Sequence, residues 1–143
     1  MIKELITDYA SSLIAATLLS FAPVDNIRID PGGSITERMQ QIERIERSGV
    51  RFVIDGLCAS ACTMYLGMKN ACVAPRTILG FHTASVQGPL GIRTPSKFGN
   101  SILMSYYPPR IREWVKEKKA LEQDELTAMT AEEAWELGIE RCQ

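Results

Sequence analysis

Residues 50–68 read Val-Arg-Phe-Val-Ile-Asp-Gly-Leu-Cys-Ala-Ser-Ala-Cys-Thr-Met-Tyr-Leu-Gly-Met. Val50 to Ile54 is rich in β-branched side chains and predicts a strand. Ala61, Met64, Tyr65 and Met68 recur at i, i+3, i+4 and i+7, which predicts a helix with one buried face. Ser60 therefore falls at a strand-to-helix junction, between two small alanines and then two cysteines. Upstream, Asn26 to Asp30 alternates polar and apolar residues and predicts a strand that Pro31-Gly32-Gly33 stops. Ser34-Ile35-Thr36-Glu37 has the capping-box form, and Ile35, Met39, Ile42 and Ile45 continue it as a helix that Gly49 ends. Downstream, Ala71–Ala74 and Thr77–Phe81 predict two strands around Pro75-Arg76. The succession strand, helix, strand, helix, strand predicts an α/β fold.

Val86 to Pro95 holds two Gly and two Pro and reads as a loop. Ser96–Tyr107 and Ile111–Leu121 predict two helices separated by Pro108-Pro109. Thr130-Ala131-Glu132-Glu133 is a second capping box, and Gly138 ends its short helix. Ala10 to Ala22 is mostly apolar but shorter than the roughly 20 residues a membrane span needs. Its upstream charges are mixed and its cleavage pattern is poor, so Leu13, Ala16, Leu18 and Leu19 predict a core helix rather than a signal peptide. On that reading the chain stays in the cytoplasm with reduced cysteines; an exported chain would instead favour a Cys62–Cys72 or Cys58–Cys72 disulfide.

The 143 residues suit one domain spanning 1–143. Lys and Arg total 16 against 17 Asp and Glu, a net charge of −1, which argues against a nucleic-acid partner. The same low charge, with 45% hydrophobic residues, excludes a disordered chain. No G-x-x-x-x-G-K-[ST] occurs, so there is no P-loop for ATP. The single histidine, His82, is the most restrictive count: chemistry that needs two imidazoles is excluded.

Three features fall at strand ends: Asp30-Pro31-Gly32-Gly33, Ser60 and His82. Strand ends of an α/β sheet converge on one edge, where sites form. The residue types fit acyl transfer. A serine hydroxyl is a weak nucleophile until a base takes its proton, and a histidine titrates in the range that does so. The oxyanion formed needs preorganised N–H donors. A helix starting at Ser60 offers the Ala61 N–H, and Gly33, without a side chain, brings a second close.

At these residues the chain resembles the ClpP/crotonase-like serine peptidases, the superfamily of the Clp protease proteolytic subunit. The resemblance runs from about Ile6 to Ile139. Asp30-Pro31-Gly32-Gly33-Ser34-Ile35 is similar to the family's Ser-Pro-Gly-Gly turn. Cys58-Ala59-Ser60-Ala61-Cys62 is similar to its nucleophile segment, and its Cys-Ala-Ser-Ala-Cys form to a bacterial and phage branch of the superfamily. Gly80-Phe81-His82 is similar to the segment ending in the catalytic histidine. Thr130-Ala131-Glu132-Glu133-Ala134 with Leu137-Gly138 is similar to the C-terminal signature.

The resemblance implies stacked strand–strand–helix units and an endopeptidase with a Ser-His-Asp triad. Ser60 matches the nucleophile, His82 the base, and Gly33 and Ala61 the oxyanion-hole positions. The position matching the triad aspartate is Leu126, with Asp124 and Glu125 beside it as the candidate acids. The resemblance also implies a peptide or protein substrate, no cofactor and a homo-oligomer, and leaves an unfoldase partner open.

Three other readings compete. A Ser-Lys peptidase of the signal-peptide-peptidase type would use Lys97, since Lys69 sits nine residues beyond Ser60 at the far end of the helix. Cys58, Cys62, Cys72 and His82 form an irregular zinc pattern, less favoured than buried thiols, so no metal is expected. A catalytically inactive binding or assembly protein of the same fold draws on the unmatched aspartate.

Overall fold

The computed structural model describes residues 25–143; the helix expected at Ala10–Ala22 lies outside them. Seven strands and four α-helices occur in this span. The main sheet holds β1 (Asp25–Asp30), β2 (Phe52–Ala59), β3 (Ala71–Val73), β4 (Ile78–Phe81) and β7 (Thr127–Thr130). β1 lies parallel to β2 on one side. On its other side β2 pairs in parallel with β3 through Phe52–Ile54 and with β4 through Leu57–Ala59. β7 closes the order antiparallel to β4, with Phe81 opposite Thr127. The fold is thus the expected α/β class, with a mixed sheet.

The helices follow the capping chemistry read from the sequence. α1 (Ile35–Ser48) starts where Ser34 Oγ accepts from the Glu37 N–H and stops at Gly49 in the left-handed region. α2 (Lys97–Tyr106) is capped by Ser96, and α4 (Ala131–Glu136) by Thr130. α3 (Pro109–Glu117) starts on a proline, whose missing N–H costs nothing at a helix start. The segment after β2 is a 3₁₀ helix, Ser60–Gly67, rather than an α-helix. Ala61 to Leu66 are all buried in it, so it has no solvent face.

These helices cover one face of the sheet. Ile54, Leu79, Phe81 and Met129 from the strands meet Met64, Leu103, Ile111 and Val115 from the helices. Phe81 is the hub, with its ring 5.5 Å from Tyr107 and 5.3 Å from Trp114. Ile29, Leu57 and Ile78, aligned across β1, β2 and β4, are exposed on the opposite face.

Two expectations are corrected. Val86–Pro95 is a hairpin, not a loop: β5 (Ser85–Gln87) pairs antiparallel with β6 (Arg93–Pro95). Gly88, Pro89 and Gly91 build the tip, and its strands are only three residues each. The cysteines are not reduced, and neither anticipated pairing forms. Cys58 is bonded to Cys62, and Cys72 to Cys142. The second bond spans 70 residues because the C-terminus returns to β3, where Val73 bridges Arg141.

Candidate active site

The parallel register explains why three distant segments meet. Asp30 lies beside Cys58, Cys58 beside Leu79, and Ala59 beside Gly80. The chain leaves β1, β2 and β4 at neighbouring points on the carboxyl edge, at Pro31, Ser60 and His82. There, Pro31–Thr36, Ser60 and the segment after His82 line one open cleft of about 820 Å³. The β5–β6 hairpin and α2 form its other wall, with Val86 and the exposed Phe98 ring beside it.

Ser60 adopts φ +57, in the left-handed region that L-residues avoid. This is the strained strand-to-helix turn that presents a side chain clear of its own backbone. Two contacts hold it, and a third buttresses the second. Gly32 packs so closely that a Cβ there would stand 2.6 Å from Ser60 Cβ. Thr63 Oγ1 donates to the Ser60 carbonyl at 2.7 Å. Having spent its proton there, Thr63 accepts from the Tyr107 hydroxyl, 2.6 Å away.

Burial pushes the Tyr107 hydroxyl above its ordinary value near 10. A raised pKa in the folded state gives stability that is fully present below the unfolded value and lost as pH rises above it. Stability is therefore expected to fall above about pH 10, where the unfolded tyrosine ionises. Tyr107→Phe, at a cost of about 1 kcal/mol for the lost hydrogen bond, is expected to flatten that alkaline slope in denaturant titrations. An unchanged slope contradicts this assignment.

The Pro31-Gly32-Gly33 turn is anchored from below. Asp30 Oδ1 accepts the Gly32 N–H at 2.9 Å. Arg38 grips Asp30 with both terminal nitrogens, at 2.6 and 3.0 Å, and donates to the Gly32 carbonyl at 3.3 Å. Arg38 also donates to the Tyr65 hydroxyl at 2.7 Å and stacks over that ring. Burial disfavours the Arg38 charge, but the hydrogen bonds it donates to Asp30 and Tyr65 outweigh this and raise the pKa overall. Gly33, at φ +140, lies on the cleft wall. Ala61 is buried at the start of the 3₁₀ helix, where a first-turn N–H has no intrahelical partner.

His82 is half-buried and lines the cleft with Ser60; no hydrogen bond joins the two side chains. Catalytic hydrogen bonds in unliganded enzymes are often loose and tighten with substrate. The segment after His82 is stapled by Asn100, which accepts the Ala84 N–H at 2.7 Å and donates to Thr83 and to the Leu121 carbonyl. Asp124 and Glu125 make no bond to His82, although the Thr83 N–H donates to the Gln123 carbonyl just before them at 2.9 Å. Both are exposed, neither lines the cleft, and no hydrogen bond or ion pair links either to the imidazole. Continuing the β4–β7 register one step past Phe81 and Thr127 sets Leu126 opposite His82. Lys97 also does not line this cleft; it borders a separate cavity with Asp124. The zinc pattern dissolves, because its three cysteines are in disulfides. Among the described residues no group of three or more His, Cys, Asp or Glu side chains is arranged to hold a metal ion. Among them, too, no helix is long and apolar enough to cross a membrane.

Sequence reasoning missed Arg38, Thr63, Tyr107 and Asn100. Tyr107 and Asn100 act through partners distant in sequence, whereas Arg38 lies eight residues from Asp30 and Thr63 three from Ser60.

The fold is that of the ClpP-like serine proteases. It is similar to 1510-N, a membrane-bound stomatin-specific protease, in a substituted form bound to a substrate peptide. That likeness has 23% identity and TM-score 0.59, over 94% of this chain and 67% of the other. A second substituted form of 1510-N gives 22% identity and TM-score 0.60, over 94% and 70%. The ClpP protease catalytic domain from Plasmodium falciparum gives 22% identity and TM-score 0.56, over 94% and 78%. No protein-family profile matches the chain, and no curated protein matches it by sequence.

Proposed function

We propose that this chain is a single-domain serine endopeptidase in which Ser60 is the nucleophile and His82 the base. The observation that carries this reading is the strained Ser60, exposed to the same cleft as the chain's one imidazole. Ser60 Oγ attacks the scissile carbonyl and its proton passes to His82. The Gly33 and Ala61 N–H groups receive the oxyanion. His82 then gives the proton to the departing amine, and water hydrolyses the acyl-enzyme by the same route. Among the described residues no carboxylate is hydrogen-bonded to His82, which supports a Ser-His dyad over a triad with Asp124 or Glu125. No cofactor takes part, and the substrate is a peptide or protein. Self-assembly is carried over from the fold by analogy. The two disulfides support an oxidising compartment in place of the expected cytoplasm.

Leu126, standing at the acid's position, favours a second reading: a catalytically inactive binding protein of the same fold. Hydrolysis of a casein or peptide-library substrate by wild type, Ser60→Ala, His82→Ala and Lys97→Ala separates the readings. The dyad predicts a loss of about 10³-fold or more in the first two and little change in the third. Activity that survives His82→Ala and falls with Lys97→Ala assigns the base to lysine. No Ser60-dependent hydrolysis supports the inactive protein.

A further inference from the structure

We propose that the Cys58–Cys62 disulfide is the clamp that sets the Ser60 nucleophile, so that the site is competent only in the oxidised chain. The proposal rests on the peptidase reading and names how that site is regulated. The bond joins the residue two before Ser60 to the residue two after it, closing a short ring with Ser60 at its centre. Cys58 is the penultimate residue of β2, and Cys62 the third residue of the 3₁₀ helix. The ring therefore spans the junction at which Ser60 takes φ +57.

A residue with a Cβ holds that conformation only where its surroundings over-determine it. Three of the four α-helix starts among the described residues are held by a capping side chain: Ser34, Ser96 and Thr130 each accept an N–H three residues on, while α3 starts on a proline. The 3₁₀ helix has no such cap, because Ala59 has nothing to offer. The covalent ring stands in its place. Without it, only the Gly32 packing and the Thr63 hydrogen bond oppose relaxation of Ala59-Ser60-Ala61 toward right-handed or extended backbone. Ser60 Oγ and the Ala61 N–H flank one peptide unit, so a single rotation there misplaces nucleophile and oxyanion donor together.

The chemistry balances as thiol–disulfide exchange. One thiolate of the pair attacks a donor disulfide, such as oxidised glutathione or a protein disulfide, and expels one donor thiol. The second thiolate resolves the mixed disulfide and expels the other. The pair is oxidised by two electrons, the donor is reduced by two, and its two sulfurs carry off the two protons. Both cysteines are fully buried, so the finished bond is out of reach of exchange in the closed fold. It acts as a licence granted once, when the folding chain meets an oxidant, rather than as a rapid switch. Cys72–Cys142 ties β3 to the C-terminus, away from this junction, and serves as the internal control.

The test compares oxidised wild type with Cys58→Ala/Cys62→Ala and with Cys72→Ala/Cys142→Ala. It reads the rate of fluorophosphonate labelling, hydrogen exchange across residues 58–63, and the thermal melt. The first double variant is expected to melt cooperatively yet label about tenfold or more slowly, the population lost when left-handed backbone is no longer enforced. Its amides at Ser60 and Ala61 are expected to exchange faster. The second is expected to keep both the labelling rate and the local exchange of wild type. If the first double variant does not fold, the Cys72→Ala/Cys142→Ala protein, which retains only the proposed clamp, is refolded with dithiothreitol and then reoxidised with glutathione disulfide. Labelling and protection are expected to be lost and then restored. Equal labelling and equal exchange with the pair open and closed overturn the clamp. If oxidised wild type does not label at all, the peptidase reading fails, and the exchange comparison alone decides the clamp.

Discussion

Gly32→Ala is expected to slow covalent labelling of Ser60 by about 10²-fold or more, although position 32 bears no catalytic group. The added Cβ would stand 2.6 Å from Ser60 Cβ, 3.1 Å from the Ala59 carbonyl oxygen and 3.2 Å from Ser60 Oγ. Two of those three atoms belong to the nucleophile, so relief can come only by moving Ser60 or the turn that faces it. A displacement of about 1 Å in a catalytic group is enough for a loss of that size. The φ of +109 adds backbone strain of about 1–3 kcal/mol, which a denaturant titration reads separately. Gly49→Ala is the control: it shares the backbone strain at φ +66, meets no atom within 4 Å and lies outside the cleft. If Gly32→Ala labels as fast as Gly49→Ala, the close approach does not position Ser60.

Arg38→Ala is expected to cost about 3–5 kcal/mol of folding stability, the usual result of removing one partner from a buried ion pair. Arg38 and Asp30 are 2.6 Å apart, with side chains only 10% and 14% exposed. Without the guanidinium, the Asp30 carboxylate keeps only the Gly32 N–H, and the Tyr65 hydroxyl loses its donor. Arg38→Lys is expected to restore little, because an ammonium cannot make the two-nitrogen grip on Asp30. The double variant Asp30→Ala/Arg38→Ala is expected to be less damaging than the two single costs added together. Strictly additive costs in urea titrations would show that the pair does not act as a unit.

The sequence was most informative where chemistry is local. The caps at Ser34 and Thr130 each need only residues three apart, and both form. Ser60 and His82 were legible because each stands at a strand end, and parallel pairing brings strand ends together. What was not legible depends on partners far along the chain. Cys72 finds Cys142 only after the C-terminus folds back on β3, and no spacing rule anticipates that. After Ser60 the sequence predicts a helix without separating 3₁₀ from α, because Ala61 to Leu66 are all buried and leave no polar face to mark the period. β7 escaped notice because four residues carry too little alternation, and its pairing with β4 is tertiary. The hairpin was hidden by the Gly and Pro that build its tip. The acid was sought at Asp124 and Glu125 by proximity in sequence; in the fold they lie in the exposed turn ahead of β7.

Ser60 as an activated nucleophile is the central claim, and intact-mass analysis after reaction with a fluorophosphonate tests it most directly. The account predicts a gain of one phosphonyl group on oxidised wild type, mapped by peptide fragmentation to Ser60, absent from Ser60→Ala and strongly slowed in His82→Ala. An adduct on another residue, or none on folded, oxidised protein, would contradict it.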